Sequence, residues 1–127
     1  MKGQNIYESA LSLIGETPGS DSASDYFNRA PYILAIFCDK VAHIDKCFRE
    51  THGLGPQKSF NEVYMDLESE FPLCSRFVDS ATHYLAAMFV IYENEELHDR
   101  LFSIHCDTLS SAISEIPYYK EKIKNAY

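Results

Sequence analysis

The most apolar helical pattern of the chain lies in residues 70–97, which read Glu70-Phe-Pro-Leu-Cys-Ser-Arg-Phe-Val-Asp-Ser-Ala-Thr-His-Tyr-Leu-Ala-Ala-Met-Phe-Val-Ile-Tyr-Glu-Asn-Glu-Glu-Leu97. Side chains that are three or four residues apart share one face of a helix. The apolar residues at this spacing are Phe77, Ala81, Tyr84, Leu85, Met88 and Ile91. Neighbouring apolar residues widen this face, so we expect a central helix that the other helices cover.

Both ends of this helix carry turn signals. Pro72 precedes it, and Asn94 marks the point where the chain leaves it. Asn94 is also well suited to be the N-cap of the next helix, whose first turn then contains Glu95 and Glu96, where the helix dipole favours negative charge. Two helices joined by a tight turn form an antiparallel hairpin, which we predict to be the core of the fold.

The sequence before this hairpin predicts further helices. The first covers about residues 4–14, and Gly15 is placed to end it. After a loop rich in turn-forming residues, Pro31 lacks the N–H group that a helix interior needs. We therefore expect a separate short turn of helix at residues 26–30, followed by a long amphipathic helix at residues 31–51.

Residues 53–72 leave two interpretations open. Ser59 and Glu62 have the spacing of a capping box, which favours a short helix at residues 60–67. Residues 67–72 could equally be an extended chain that leads into the central helix. In either case we expect no sheet of any size.

The last helix is predicted to cover about residues 95–115, and Pro117 stops it. The residues expected to line its buried face are Leu97, Leu101, Ile104, Thr108, Leu109, Ala112 and Ile116. The sequence thus predicts an all-α fold, a small bundle of about four helices with a long central antiparallel hairpin. We expect a helical domain at residues 1–117 and an extended, flexible C-terminal tail at residues 118–127.

Charge is distributed unevenly along the 127 residues, whose formal net charge is −8. Nine acidic residues and a single basic one, Arg76, lie between Phe60 and Asp99. An acidic surface repels phosphate groups, so sequence-specific binding of DNA or RNA is not expected. The chain lacks both a long apolar run and an N-terminal signal pattern, so we expect a cytosolic protein without membrane contact.

No pattern of chemically reactive residues predicts an active site, a metal site or a cofactor. Glu95 and His98 match one Glu-x-x-His pair of a di-iron bundle, but that chemistry needs a second pair, which the sequence lacks. His43 and Cys47 are one helical turn apart, yet a structural zinc needs four converging ligands. The four cysteines lie in or beside apolar helical runs, so we interpret them as buried thiols. We expect a protein that is not an enzyme.

The end of the chain has a different composition from the rest. Three lysines stand against Glu121 alone, and aromatic residues alternate with them. Such segments are common where a chain becomes ordered on a partner, although a frayed end without function is an equal alternative. The residues predicted to bind a partner are Tyr118, Tyr119, Lys120, Lys122, Ile123 and Lys124.

Three groups of residues resemble one known class of protein. They are Ile6-Tyr-Glu-Ser-Ala-Leu with Ile14-Gly-Glu, then Ala30-Pro-Tyr-Ile-Leu, then Glu70-Phe-Pro-Leu with Ala81, Tyr84-Leu-Ala-Ala-Met and Glu93-Asn-Glu-Glu-Leu. In these residues the chain resembles the small head–tail connector (adaptor) proteins of long-tailed double-stranded DNA phages and of prophages in Gram-positive bacteria. The resemblance spans about residues 5–113 and depends on packing residues.

The resemblance implies a mostly helical protein that assembles as a ring below the portal and extends the DNA channel. Its partners would be the portal protein and neighbouring connector or tail proteins, and double-stranded DNA would pass through without specific binding. In that class the C-terminal segment often reaches along a neighbouring subunit or the portal, a role that residues 118–127 would suit. Such a protein would be found in the virion, and in the bacterial cytoplasm before assembly.

Two other interpretations stay open from the sequence. The chain could be a small helical module that binds or regulates a host or phage protein. An enzyme that uses histidine or cysteine chemistry, or a bound metal, is the third hypothesis and has the weakest support. The three classes differ in whether the chain is present in particles, bound to one host protein, or loaded with metal.

Overall fold

The computed structural model describes residues 1–21 and 23–117, and in these the chain forms a bundle of four α-helices. The helices are α1 (Gly3–Leu13), α2 (Ala23–Thr51), α3 (Val78–Phe89) and α4 (Glu95–Ile113), and a 3₁₀ helix at Ser75–Phe77 leads into α3. In the described part of the chain, β-pairing is limited to one isolated bridge between Lys2 and Glu70. The all-α prediction is confirmed, and the predicted tail, residues 118–127, lies outside the described residues.

The hairpin of α3 and α4 is the centre of the bundle, as predicted. The side-chain oxygen of Asn94 accepts a hydrogen bond of 3.0 Å from the N–H of Leu97, which confirms Asn94 as the N-cap of α4. Helix α3 packs against α1, α2 and α4, and its residues Ala81 and Leu85 are fully buried. Because α3 ends at Phe89, Ile91 lies in the turn and is half-buried rather than part of the helical core.

Helix α2 continues through Pro31, so the predicted separation at this residue is wrong. Proline removes one helical hydrogen bond, the one to the carbonyl of Phe27, and the rest of the helix can persist if other contacts stabilise it. The O–H of Tyr26 donates a 2.6 Å hydrogen bond to Glu93, and Arg29 donates to the carbonyl of Phe89 at 3.3 Å. These contacts with the end of α3 hold the first turns of α2 in place.

The buried face of α4 differs from the predicted one at a central position. Ile104 is 36% exposed, whereas its neighbour His105 is only 2% exposed. Helix α4 packs mainly against α3, so only a narrow stripe of it is buried, and Ser80 of α3 offers His105 a polar partner there. Leu101, Ala112 and Ile116 are buried as predicted, while Leu97, Thr108 and Leu109 are half-buried.

Residues 53–74 cross the bundle without forming the short helix that the capping-box spacing at Ser59 favoured. The side-chain oxygen of Asn61 accepts hydrogen bonds from the N–H groups of Val63 and Tyr64, at 2.8 and 3.2 Å. Such a local turn gives the backbone an alternative to a helix. The N–H of Met65 then donates to the carbonyl of Pro31 at 3.0 Å, which fixes this segment against α2.

One buried carboxylate anchors both ends of this segment, and we call its contacts the Asp45 network. Asp45 is completely buried on α2. Its Oδ2 accepts hydrogen bonds from Arg49 Nε at 2.9 Å and from Gln57 Nε2 at 2.8 Å, and its Oδ1 accepts one from the N–H of Cys74 at 2.7 Å. A buried charge requires such partners, and here they join α2 to both ends of the segment.

Candidate functional site

The residues that could have formed a metal centre are not brought together. In residues 1–21 and 23–117, no group of three or more histidine, cysteine or acidic side chains could hold a metal ion. His98 Nδ1 lies 2.9 Å from the carbonyl oxygen of Ala87, so it links the two arms of the hairpin. His43 Nε2 and Cys47 Sγ are neighbours on α2 at 3.9 Å. These histidines have local partners that account for their positions.

The four cysteines are free and differ widely in exposure. Cys38 is buried, and burial raises the pKa of its thiol to about 12. Cys47 and Cys74 are half-buried, and Cys106 is exposed, so the prediction of a buried thiol is wrong at Cys106. Cys106 follows the buried His105, and the rotation of about 100° per residue of an α-helix moves its side chain off the buried stripe of α4 into solvent.

A buried serine–histidine pair joins the two helices of the hairpin. The Oγ of Ser80 lies 2.8 Å from His105 Nδ1, and it also donates to the carbonyl of His105 at 3.1 Å. The imidazole lies among the rings of Phe37, Tyr84 and Phe102, with centroid distances of 5.0 to 5.9 Å. Burial lowers the pKa of His105, which favours the neutral ring.

The pair has the atoms of a nucleophile and a base but not the position of an active site. Ser80 is 1% exposed and His105 is 2% exposed, so a substrate has no access to the serine oxygen. The pair is therefore a polar link between α3 and α4. The sequence does contain a sign that His105 is buried, because it is four residues after Leu101 and seven before Ala112, which places it on the buried face of α4. This sign is easily missed, because histidine is a polar residue.

The surface has a groove lined by α2, by residues 53–74 and by Gln4 of α1, which we call the aromatic groove. Its walls include Phe27, Tyr32 and Tyr64, which are 49%, 51% and 43% exposed, and Asp66 and Glu68 lie along it. The rings of Tyr32 and Tyr64 meet edge to face at a centroid distance of 5.2 Å. The groove has a volume of about 380 Å³. Exposed aromatic side chains next to carboxylates suit a partner segment that is both apolar and basic.

Sequence reasoning missed this groove, since it assigned no function to these residues. Tyr32 and Tyr64 are 32 positions apart in the sequence, and the hydrogen bond from Met65 to Pro31 brings them together. The sequence offered one sign of it. Phe27 and Tyr32 lie outside the buried face of α2, and exposed large aromatic side chains often mark a binding surface.

The surface of the described bundle is acidic. All but one of the 19 acidic residues, and all but three of the 11 lysines and arginines, lie in residues 1–117, which gives this part a formal net charge of −10. The predicted partner-binding residues all lie outside the described residues; they are Tyr118, Tyr119, Lys120, Lys122, Ile123 and Lys124. The charge of residues 118–127 is therefore +2, opposite in sign to that of the bundle.

No helix of the described residues has the length and hydropathy needed to cross a membrane. Comparisons with protein families, with characterised proteins and with solved structures find no match for this chain. The likeness to head–tail connectors therefore depends on the residues quoted above. In the structure many of those residues are core residues, among them Ile6, Tyr7, Ala30 and Leu85 with at most 1% exposure.

Proposed function

We propose that this chain is a structural virion protein, a head–tail connector that forms a ring below the portal and extends the DNA channel. The observation that carries the proposal is that many of the connector-like residues are core residues of this bundle. Ile6 and Leu11 of α1 and Ala81 and Leu85 of α3 are fully buried. These residues of the resemblance therefore belong to the core that holds the helices of this chain together.

The charge of the bundle supports a channel-lining role. A net charge of −10 on residues 1–117 repels the phosphates of DNA at short range. A channel wall of this kind lets a duplex pass without binding to it, whereas a DNA-binding protein would carry a basic stripe.

Residues 118–127 provide the proposed contact with a neighbouring protein. They carry three lysines and two adjacent tyrosines, a composition suited to the acidic or aromatic surface of a partner. The portal protein and neighbouring connector or tail proteins are the proposed partners. A ring needs two different contact faces on each copy, because its interfaces are heterologous.

The first experiment is quantitative mass spectrometry of purified tailed particles from the source strain. We expect a fixed, low copy number in constant ratio to the portal protein. Absence of the chain from intact, infectious particles would overturn the proposal.

A deletion of residues 118–127 then tests the partner-binding segment. We expect the shortened chain to keep its helical circular dichroism signal while tailed particles no longer form. Lys46→Ala, which removes an exposed lysine from α2, is the control and should leave assembly intact. Normal tailed particles made with the shortened chain would refute the role of this segment.

The second candidate function is a small helical module that binds or regulates another protein. The aromatic groove is the observation that favours it, because exposed aromatic rings next to carboxylates could hold a segment of a host protein as well as one of a virion protein. Co-purification and the composition of purified particles distinguish the two functions. A regulator co-purifies with a single host protein and is absent from particles, whereas a connector is found in particles.

A further inference from the structure

We propose that the aromatic groove of one copy of this chain binds residues 118–127 of a second copy. This inference rests on the proposed function in one respect, namely that copies of the chain assemble with each other. It adds to that function by naming the surface that receives residues 118–127.

The walls of the groove provide the apolar part of the contact. Phe27, Tyr32 and Tyr64 are each about half exposed, although each already has a ring contact on one side. Residues 118–127 contain three tyrosines and Ile123, which can cover the exposed sides of these rings. Burial of aromatic side chains of this kind dominates the energy of most protein interfaces.

Charge selects between possible occupants. The charged residues that line the groove are Asp66 and Glu68, and in the described part of the chain no lysine or arginine lines it. Residues 118–127 contain Lys120, Lys122 and Lys124 against one glutamate, whereas the bundle as a whole is acidic. A groove with this lining repels most of the surface of a second copy and attracts its last ten residues.

The groove and the last described residues, 115–117, lie toward opposite ends of α3. Arg76, just before α3, forms an ion pair of 2.9 Å with Glu115, so the described chain ends near the start of α3. The groove residue Phe27 contacts Tyr7 at 5.5 Å, and Tyr7 contacts Phe89, the last residue of α3, at 6.2 Å. The two ends of α3 are separated by about 18 Å at the helical rise per residue.

This separation determines the kind of contact. A segment of ten residues reaches at most about 35 Å when fully extended. Within its own copy it would use more than half of this reach to travel along α3, whereas in a second copy all ten residues remain available for the groove. The contact joins two different surfaces, so it is heterologous and its repetition gives a ring or a filament.

Site-specific photo-crosslinking of the full-length chain tests the inference. A photoreactive phenylalanine analogue replaces Tyr64 in a ¹⁵N-labelled copy, which is mixed with unlabelled copies under assembling conditions. We expect mass spectrometry to find crosslinks from position 64 to residues 118–127 of unlabelled copies. The same analogue at Tyr92, which is 94% exposed and does not line the groove, is the control and should give no such crosslink. Crosslinks within one copy, or to other residues, would overturn the inference.

A reciprocal charge exchange in copies that carry the analogue at position 64 gives a second test. Glu68→Lys and Lys122→Glu should each lower the yield of crosslinked pairs by about tenfold, since each places like charges together. Glu68→Lys in one copy combined with Lys122→Glu in the other should restore the yield. Glu62→Lys, an exposed reversal that is not in the groove, is the matched control. Equal yields from all of these variants would show that the groove is not the binding site.

The outcomes separate this inference from the proposed function. If the chain is present in particles at a fixed ratio but position 64 does not crosslink to residues 118–127 of another copy, the inference fails and the connector role stands. If the crosslink forms but particles lack the chain, the pairing of copies stands and the connector role fails.

Discussion

Removal of the Asp45 carboxylate should destabilise the bundle more than any other single charge change among the described residues. Asp45→Ala leaves the donors of Arg49, Gln57 and Cys74 without their common acceptor. Breaking a buried ion pair by removing one partner costs about 3–5 kcal/mol. The Arg49 side chain keeps 15% exposure and can turn toward water, so we expect the lower end, about 3 kcal/mol.

Urea unfolding followed by circular dichroism measures this free energy. For a domain of this size the expected loss corresponds to a decrease in Tm of about 10 °C. Asp25→Ala is the matched control, because it also removes an acid paired with an arginine four residues away, but that side chain is 71% exposed. Exposed pairs contribute about 0–1 kcal/mol.

A loss below about 1 kcal/mol for Asp45→Ala would refute the reasoning, since it would equal the effect of an exposed pair. If the alanine variant does not fold, Asp45→Asn keeps the shape of the side chain and one acceptor oxygen. It should then fold with reduced stability. A second measurement, hydrogen exchange of the Cys74 amide, should show lost protection in either folded variant.

Three further predictions concern helix packing, capping and pH. A Cβ at Gly3 would lie 3.2 Å from the Cα of Leu67, so Gly3→Ala should lower the free energy of unfolding, measured by thermal unfolding, by about 1 kcal/mol. Gly19→Ala is the control, because a Cβ there meets no atom within 4 Å, and it should be neutral or slightly stabilising. Asn94→Ala removes the N-cap of α4 and should cost about 1 kcal/mol in urea unfolding. His105 has a lowered pKa in the folded state, so acidification from pH 7.5 to 5.5 protonates the unfolded chain first and should reduce stability by up to about 1 kcal/mol.

Each of the last two predictions has its own control. Asn5→Ala changes an exposed asparagine inside α1, and it should not lower stability. If it costs as much as Asn94→Ala, the capping bond is not the cause. For the pH effect, His105→Gln should reduce the dependence of urea stability between pH 7.5 and 5.5. If the stability of that variant depends on pH as strongly as that of the unchanged protein, other titratable groups cause the effect.

Features that depend on neighbouring residues were predictable from the sequence. The cap at Asn94 needs only the residues within one turn of it, and Gly15 has the positive φ of 77° expected of a residue that ends a helix. The hairpin of α3 and α4 follows from the same local signals, together with an apolar pattern that repeats at the helical period.

Features that depend on distant partners were not predictable. Helix α2 continues through Pro31 because Tyr26 bonds to Glu93, which is 67 residues away. Asp45 anchors residues 53–74 at Gln57 and Cys74, and no local pattern indicates that an aspartate on a helix is completely buried. The aromatic groove arises for the same reason, since its walls come from α2 and from the segment that crosses it.

The four thiols differ in exposure, so their rates of reaction with a thiol reagent can be used to measure the opening of the bundle. Cys106 is exposed and can react with a thiol reagent in the native state, whereas Cys38 is buried with a pKa near 12 and must wait for the bundle to open. The ratio of their labelling rates therefore measures the free energy of that opening. Cys74 is half-buried and its N–H is bonded to Asp45, so we expect it to be labelled at a rate between those of Cys106 and Cys38.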